Sequence, residues 1–156
     1  MKVKISYDKK LLRVPVILST PHKRVVSDFV IDTGSPHTII NYKDSLRLAI
    51  PHIQKAELVR IAGRMYQSYV YERVEIIFKT IDGKEMREKI SVRVLKLFSL
   101  RSGEIENLDR LPNLLGLDFL EKGYKLVCNI KEADIFMEKI WERNYEFVNK
   151  DNFYSF

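Results

Sequence analysis

The residues of this chain best placed to do chemistry are Asp32-Thr33-Gly34-Ser35, entered from Phe29-Val30-Ile31 and left through Thr38-Ile39-Ile40. Apolar, mostly β-branched residues on both sides predict two strands joined by a tight turn that carries Asp32. A carboxylate so placed can be tuned, because apolar flanks raise the cost of its charged form while turn amides and hydroxyls hydrogen-bond it. A Ser35 hydroxyl donating to Asp32 would favour the charged form and move an acid-dependent activity to lower pH. Asp-Thr-Gly is also an ordinary turn composition, with Asp capping the turn and Gly supplying a positive φ. The tripeptide alone therefore leaves a catalytic and a turn-forming reading open.

Little else competes as a reactive centre. His22, His37 and His52 fall on separate predicted turns without the close spacing zinc requires, so no metal and no cofactor is expected. No Ser-His-Asp constellation, Cys-His pair or phosphate-cradling glycine loop is present. The single cysteine, Cys128, sits in Leu126-Val127-Cys128-Asn129-Ile130, which predicts a buried, inert thiol and a reducing compartment. The 27 Lys and Arg against 21 Asp and Glu give a net charge of +6, but the two signs are interspersed. That pattern favours a solvated face over a nucleic-acid surface. No apolar run approaches the roughly 18 residues needed to span a bilayer, and residues 1–5 alternate charged with apolar, so a soluble, cytoplasmic protein without a membrane partner is expected.

Several predicted strands must position Asp32. Residues 3–7 and 11–19 read as strands, with Val14, Val16 and Leu18 on one face and Pro15 marking an edge or bend. A turn over 20–23 returns the chain along 25–31 to Asp32. Residues 43–50 predict a short helix ended by Pro51. Residues 56–78 predict a long hairpin with its tip at Ile61-Ala62-Gly63-Arg64, either a plain hairpin or a mobile lid, since Gly63 supplies permissive dihedrals. Asp82-Gly83 joins 74–80 to 85–95 as a tight turn. Residues 96–110 lose periodicity and predict an exposed loop. A buried strand over 112–115, a helical turn over 116–122 ending at Gly123, and a hairpin of 124–130 with 133–138 follow. Asp118 falls in the first turn of that helix, where it suits the helix terminus and is not read as catalytic.

The Asp-Thr-Gly-Ser turn and the distant Leu114-Leu115-Gly116-Leu117-Asp118-Phe119-Leu120 together resemble the two hallmark segments of retropepsin-like aspartic proteases. The Gly-Leu-Asp-x-Leu form is similar to that of the protease domain in the eukaryotic DNA-damage-inducible ubiquitin-shuttle proteins. This resemblance covers most of residues 10–138. It implies a mainly β, retropepsin-like fold, a closed β-barrel or sandwich with one or two short helices and a flap hairpin. It further implies Asp32 as one half of a catalytic pair completed by a second copy. Only one Asp-Thr-Gly occurs, and 156 residues are about half of a two-lobed aspartic protease, in keeping with a homodimer.

Under that resemblance Thr33, Gly34 and Ser35 support the active site, residues Ile61, Ala62, Gly63, Arg64 and Met65 form the flap over the substrate, and Leu115 with Gly116 packs beneath Asp32. Ile31 and Ile39 join Ile61, Met65 and Leu115 as candidate cleft residues, implying a preference for apolar residues around the cleaved bond of a peptide or unfolded protein. Pro36 stands where retroviral relatives often carry an acid that holds substrate, and Leu117 where they carry an arginine that pairs across the dimer. The chain thus divides into a protease-like domain over 1–138 and an aromatic tail over 139–156, which packs either across a dimer or on its own domain. The rival class is a non-catalytic binding module on the same fold, with Asp32 kept as a turn former and a peptide, a partner protein or nucleic acid as its ligand.

Overall fold

A computed structural model describes residues 1–52, 55–96, 108 and 110–140. The fold is mainly β. The N-terminal strand predicted over 3–7 is split at Ile5 into β1 (Lys2–Lys4) and β2 (Ser6–Asp8). These serve different sheets, β1 pairing with the last strand and β2 with β3 (Leu11–Ser19). A turn closed by the Thr20 N–H donating to the Lys23 carbonyl leads into β4 (Arg24–Ile31), antiparallel to β3. Val14, Val16 and Leu18 are buried on one face. The other edge of β3 pairs with β2 over Leu11 to Arg13 and with a later strand over Ile17 to Ser19. Pro15, which has no N–H for a ladder, falls in the interval between those partners.

After β5 (Ile39–Ile40) comes helix α1 (Tyr42–Arg47), capped by the Asn41 side chain accepting from the Asp44 N–H. It ends at Leu48, three residues before Pro51. Ala49 takes a left-handed conformation at φ 54°, and the N–H groups of Ala49 and Ile50 donate back to Leu46 and Ser45. This helix-terminating motif, anchored by buried Ile50, stops the helix ahead of the proline.

Strand β6 (Glu57–Ile61) turns through Ala62-Gly63 into β7 (Arg64–Lys79), one 16-residue strand with a bulge between Tyr71 and Val74. Turn residues Ile81 to Lys84 lead to β8 (Glu85–Leu95), with Gly83 at φ 82°. The predicted loop over 96–110 lies largely outside the described residues, as do 141–156 of the tail. Strand β9 (Asn113–Leu115), helix α2 (Leu117–Leu120), β10 (Tyr124–Asn129) and β11 (Asp134–Lys139) complete the chain. Lys139, assigned from sequence to the tail, is the last residue of β11, and the Ile140 N–H donates to the Gly123 carbonyl.

Eight strands form one sheet in the order β2-β3-β4-β9-β5-β8-β7-β6, with β3 also pairing to β7, while β1, β11 and β10 form a second. The main apolar cluster gathers Val14, Phe29, Phe78, Leu115, Phe119 and Met137. A smaller one joins Val30, Ile39 and Leu114 to Val59 and Ile61 of the β6–β7 hairpin. Cys128 is exposed, contrary to the buried thiol expected from its neighbours. It lies near the end of β10, an edge strand whose burial fades from Tyr124 outward, so the alternation runs past the core.

Candidate active site

Strand β9 lies between the two strands that flank the Asp32 turn. It runs parallel to β4, with Val30 opposite Leu114 and Ile31 opposite Leu115, and antiparallel to β5 at Ile39. The Asp32 N–H donates to the Leu115 carbonyl at 3.0 Å, so the turn is fixed to β9 where β4 ends. The two motifs, far apart in sequence, thus meet in one backbone ladder.

Polar contacts then lock the loops together. Thr38 is fully buried, its N–H and hydroxyl donating to the two carboxylate oxygens of Asp118 at 2.9 and 2.6 Å. Its hydroxyl also accepts from the Gly116 N–H at 3.1 Å. The Leu117 N–H donates to the Ser35 carbonyl at 2.9 Å. A Cβ on Gly116 would stand 2.4 Å from the His37 carbonyl oxygen and 2.9 Å from that of Ser35. Glycine is required there by close backbone approach.

Asp32 itself is half-buried, and the Gly34 N–H donates to its Oδ1 at 2.9 Å. Gly34 does not use a positive φ; a Cβ there would lie 3.1 Å from Asp32 Oδ1, so its role is to admit the carboxylate. The Ser35 hydroxyl donates to the His37 carbonyl at 2.7 Å. The condition under which Ser35 would tune Asp32, a hydroxyl bond to that carboxylate, is not met, and the buried hydroxyl closes the turn two residues on instead. Thr33, Gly34 and Pro36 are exposed at the apex, and Leu117 beside them keeps 39% of its surface in solvent.

The turn forms the floor of a cleft of about 510 Å³, lined by Asp32, residues 34–37, Ile39, residues 58–63, Arg93 and Leu114. Across from Asp32 stands the β6–β7 hairpin. Its two-residue tip has Ala62 at φ 48° and Gly63 at φ 78°, the mirror-image turn that suits the strand twist. Of the five flap residues expected from sequence, Ile61, Ala62 and Gly63 line the cleft. Arg64 and Met65 do not, and Met65 is 49% exposed. Ile31 and Leu115 are buried in the main core instead of lining the cleft.

The cleft also holds Pro36, His37, Leu58, Val59, Arg60, Arg93 and Leu114, none of which sequence reasoning placed as a lining residue. Arg93 lies in the alternating run Ser91-Val92-Arg93-Val94 and reads there as a solvent-facing strand residue. Only the parallel pairing of β8 with β5, Arg93 opposite Ile39, brings it to the cleft. Among the described residues no group of His, Cys, Asp and Glu gathers to hold a metal ion, and no helix is long and apolar enough to cross a membrane.

Beneath the site, buried Asp44 accepts from Ser27, from Asn113 Nδ2 at 2.6 Å and from Arg47 at 2.6 Å. Burial pushes its carboxyl up, but these hydrogen bonds and the Arg47 charge outweigh it and hold the group below the ordinary carboxylate range. Asn113 Oδ1 accepts from the Asn41 N–H at 2.7 Å, tying β9 to the start of α1.

No family model matches the sequence, and no curated protein matches it. Solved structures do match, 26 chains in number. One is a retropepsin-like aspartic protease from Rickettsia conorii, 14% identical, with a TM-score of 0.57 over 88% of this chain and 89% of that one. At that identity the likeness establishes the fold, a mainly β structure with short helices that resembles a retropepsin-like sandwich.

Proposed function

We propose that this protein is a homodimeric aspartic endopeptidase in which Asp32 of each of two copies activates one water for attack on a peptide bond. The observation that carries the reading is the fixing of the Asp32 turn by β9, with its carboxylate on the floor of a cleft roofed by a hairpin. Two carboxylates brought together across a symmetry axis cannot both stay ionised, so the pair holds one proton and titrates as a unit; aspartic proteases are the standard instance of this effect. The ionised member takes a proton from the water while the protonated one polarises the scissile carbonyl. The exposed apex at Thr33, Gly34 and Leu117 supports an interface there. Among the described residues the Thr33 hydroxyl makes no hydrogen bond, and in this reading it bonds the partner's turn.

The substrate is an extended peptide or unfolded protein. The pair Ile61 and Arg64 closes the two-residue hairpin, so ladder alternation directs the backbone N–H and C=O groups of Leu58 and Arg60 away from β7. Among the described residues β6 has no second neighbour, and this open edge faces the cleft. A peptide strand can pair along it. Ile39, Val59, Ile61 and Leu114 supply apolar contacts for the residues around the cleaved bond. The circuit of pairings closed by β3 with β7 supports the barrel form of the fold. The kinship with ubiquitin-shuttle proteases rests on Gly116-Leu117-Asp118 and Leu120, and the cytoplasmic setting on composition.

Incubation of the protein and of Asp32→Asn with an unfolded substrate from pH 3 to 7, with molar mass followed by light scattering, tests the reading. A cleaving dimer whose activity vanishes in a still dimeric Asp32→Asn is the expected result. A monomer that cleaves nothing, or equal cleavage by both proteins, favours the binding module.

A further inference from the structure

One cation of the cleft wall, Arg93, is already paired with a carboxylate that stands just outside the lining. Arg93 projects from β8 with its side chain only 17% exposed, and its Nη1 lies 2.5 Å from Oε2 of Glu57 at the root of the flap strand. Arg93 faces Val70 and Glu57 faces Ser68, so the guanidinium reaches diagonally across β7. The Glu57 side chain is 60% exposed. Arg93, first by its hydrogen bond and then by its charge, holds that carboxyl below its ordinary value, with Lys55 and His37 adding to the effect. His37 lines the same cleft, whereas Arg60, three residues from Glu57 on β6, leaves the strand on the opposite face.

These partners differ in what separation costs them. Glu57 is largely hydrated and loses little on release, whereas a guanidinium left mostly buried without a carboxylate loses hydrogen bonds that solvent replaces poorly. Any displacement of β6 by a peptide entering alongside it therefore opens a site that selects a carboxylate. We propose that Arg93, with His37 close by, forms a subsite for an Asp or Glu side chain of the bound peptide, and that Glu57 occupies that place in cis. This rests on the peptidase reading and narrows its substrate class to acidic segments flanking an apolar cleavage point. At about 3.3 Å per strand residue, Glu57 lies some five residues from the hairpin tip, so the acidic residue falls within about five residues of the cleaved bond.

The test uses a set of decapeptides with an apolar centre, each carrying one Glu at a different position, and the matching Gln peptides. Wild type should cleave one Glu peptide about tenfold faster than its Gln partner in kcat/KM. Arg93→Met should bring that ratio near one, Arg93→Glu should reverse it toward a Lys peptide, and Glu57→Gln should raise it by freeing the guanidinium. Thermal melting confirms that each variant is folded. Ratios that stay at one in wild type, or that survive Arg93→Met, overturn the subsite. If no peptide is cleaved, the peptidase reading fails by itself, and fluorescence anisotropy of the same labelled peptides on Asp32→Asn still decides the subsite. Tighter Glu than Gln binding, lost when Arg93→Met is added, supports it, and equal binding refutes it.

Discussion

A methyl group at position 116 would have to occupy the same space as two backbone carbonyls, 2.4 Å from the His37 oxygen and 2.9 Å from that of Ser35. Neither can rotate away as a side chain would, because the Leu117 N–H holds Ser35 and the Ser35 hydroxyl holds His37. Gly116→Ala is therefore expected to destabilise the protein by about 3 kcal/mol, as overpacking against fixed atoms does. It should also remove activity in the fraction that folds, because the displaced loop carries Asp32. Thr38→Val probes the neighbouring contacts differently. It keeps the volume but leaves the Gly116 N–H and one Asp118 oxygen without the hydroxyl, for a loss of about 2 kcal/mol. Urea denaturation of both variants reads the two effects. A Thr38→Val protein as stable as wild type would show that the bond between the motifs contributes little.

At the scale of elements, the flap tip carries a testable strain. Ala62 holds φ 48°, a conformation that costs an alanine about 1 kcal/mol, and asparagine before glycine is the preferred pair for this turn. Ala62→Asn should stiffen the hairpin, seen as slower amide exchange in β6, and slow turnover if flap opening limits it. Faster exchange would contradict the strain argument. The elements themselves were largely legible in sequence. Strand alternation in Val14, Val16 and Leu18, the Asp82-Gly83 turn and the apolar approach to Asp32 each state their structure locally. What was hidden is non-local. The placement of Arg93 in the cleft depends on β8 pairing with β5, and the split at Ile5 on two sheets competing for one strand. Helix α1 stops early because a backbone motif around Ala49 takes precedence over the proline signal, and Cys128 is exposed because β10 outruns its core. Ser35 turned to a nearer acceptor, which composition cannot rank.

For the whole molecule, acid acts on stability most through two partly buried groups, the exposed Glu57 and Asp82 being better screened by solvent. Burial, and then the Lys96 charge, holds the His52 imidazole below its ordinary value. The unfolded chain therefore takes up this proton first, and stability falls as pH drops below about 6.5 until the folded imidazole titrates too. Asp44 is held low in the folded state, so its contribution is complete above about pH 4 and is lost as pH falls through the folded value. Denaturation between pH 7 and 3 should show two descents. His52→Gln should remove the upper one, and Asp44→Asn should flatten the lower one while starting less stable at pH 7. A single descent unchanged by either variant would refute this assignment.

The central claim is that one working site needs Asp32 from two chains, and subunit mixing tests it most directly. Wild type and Asp32→Asn are refolded together in equal amounts, and cleavage is compared with that of the same total protein as wild type alone. If both carboxylates are required, only wild-type pairs work, and random pairing leaves about one quarter of the activity. Activity of about one half would mean that each chain acts alone, and would contradict the account.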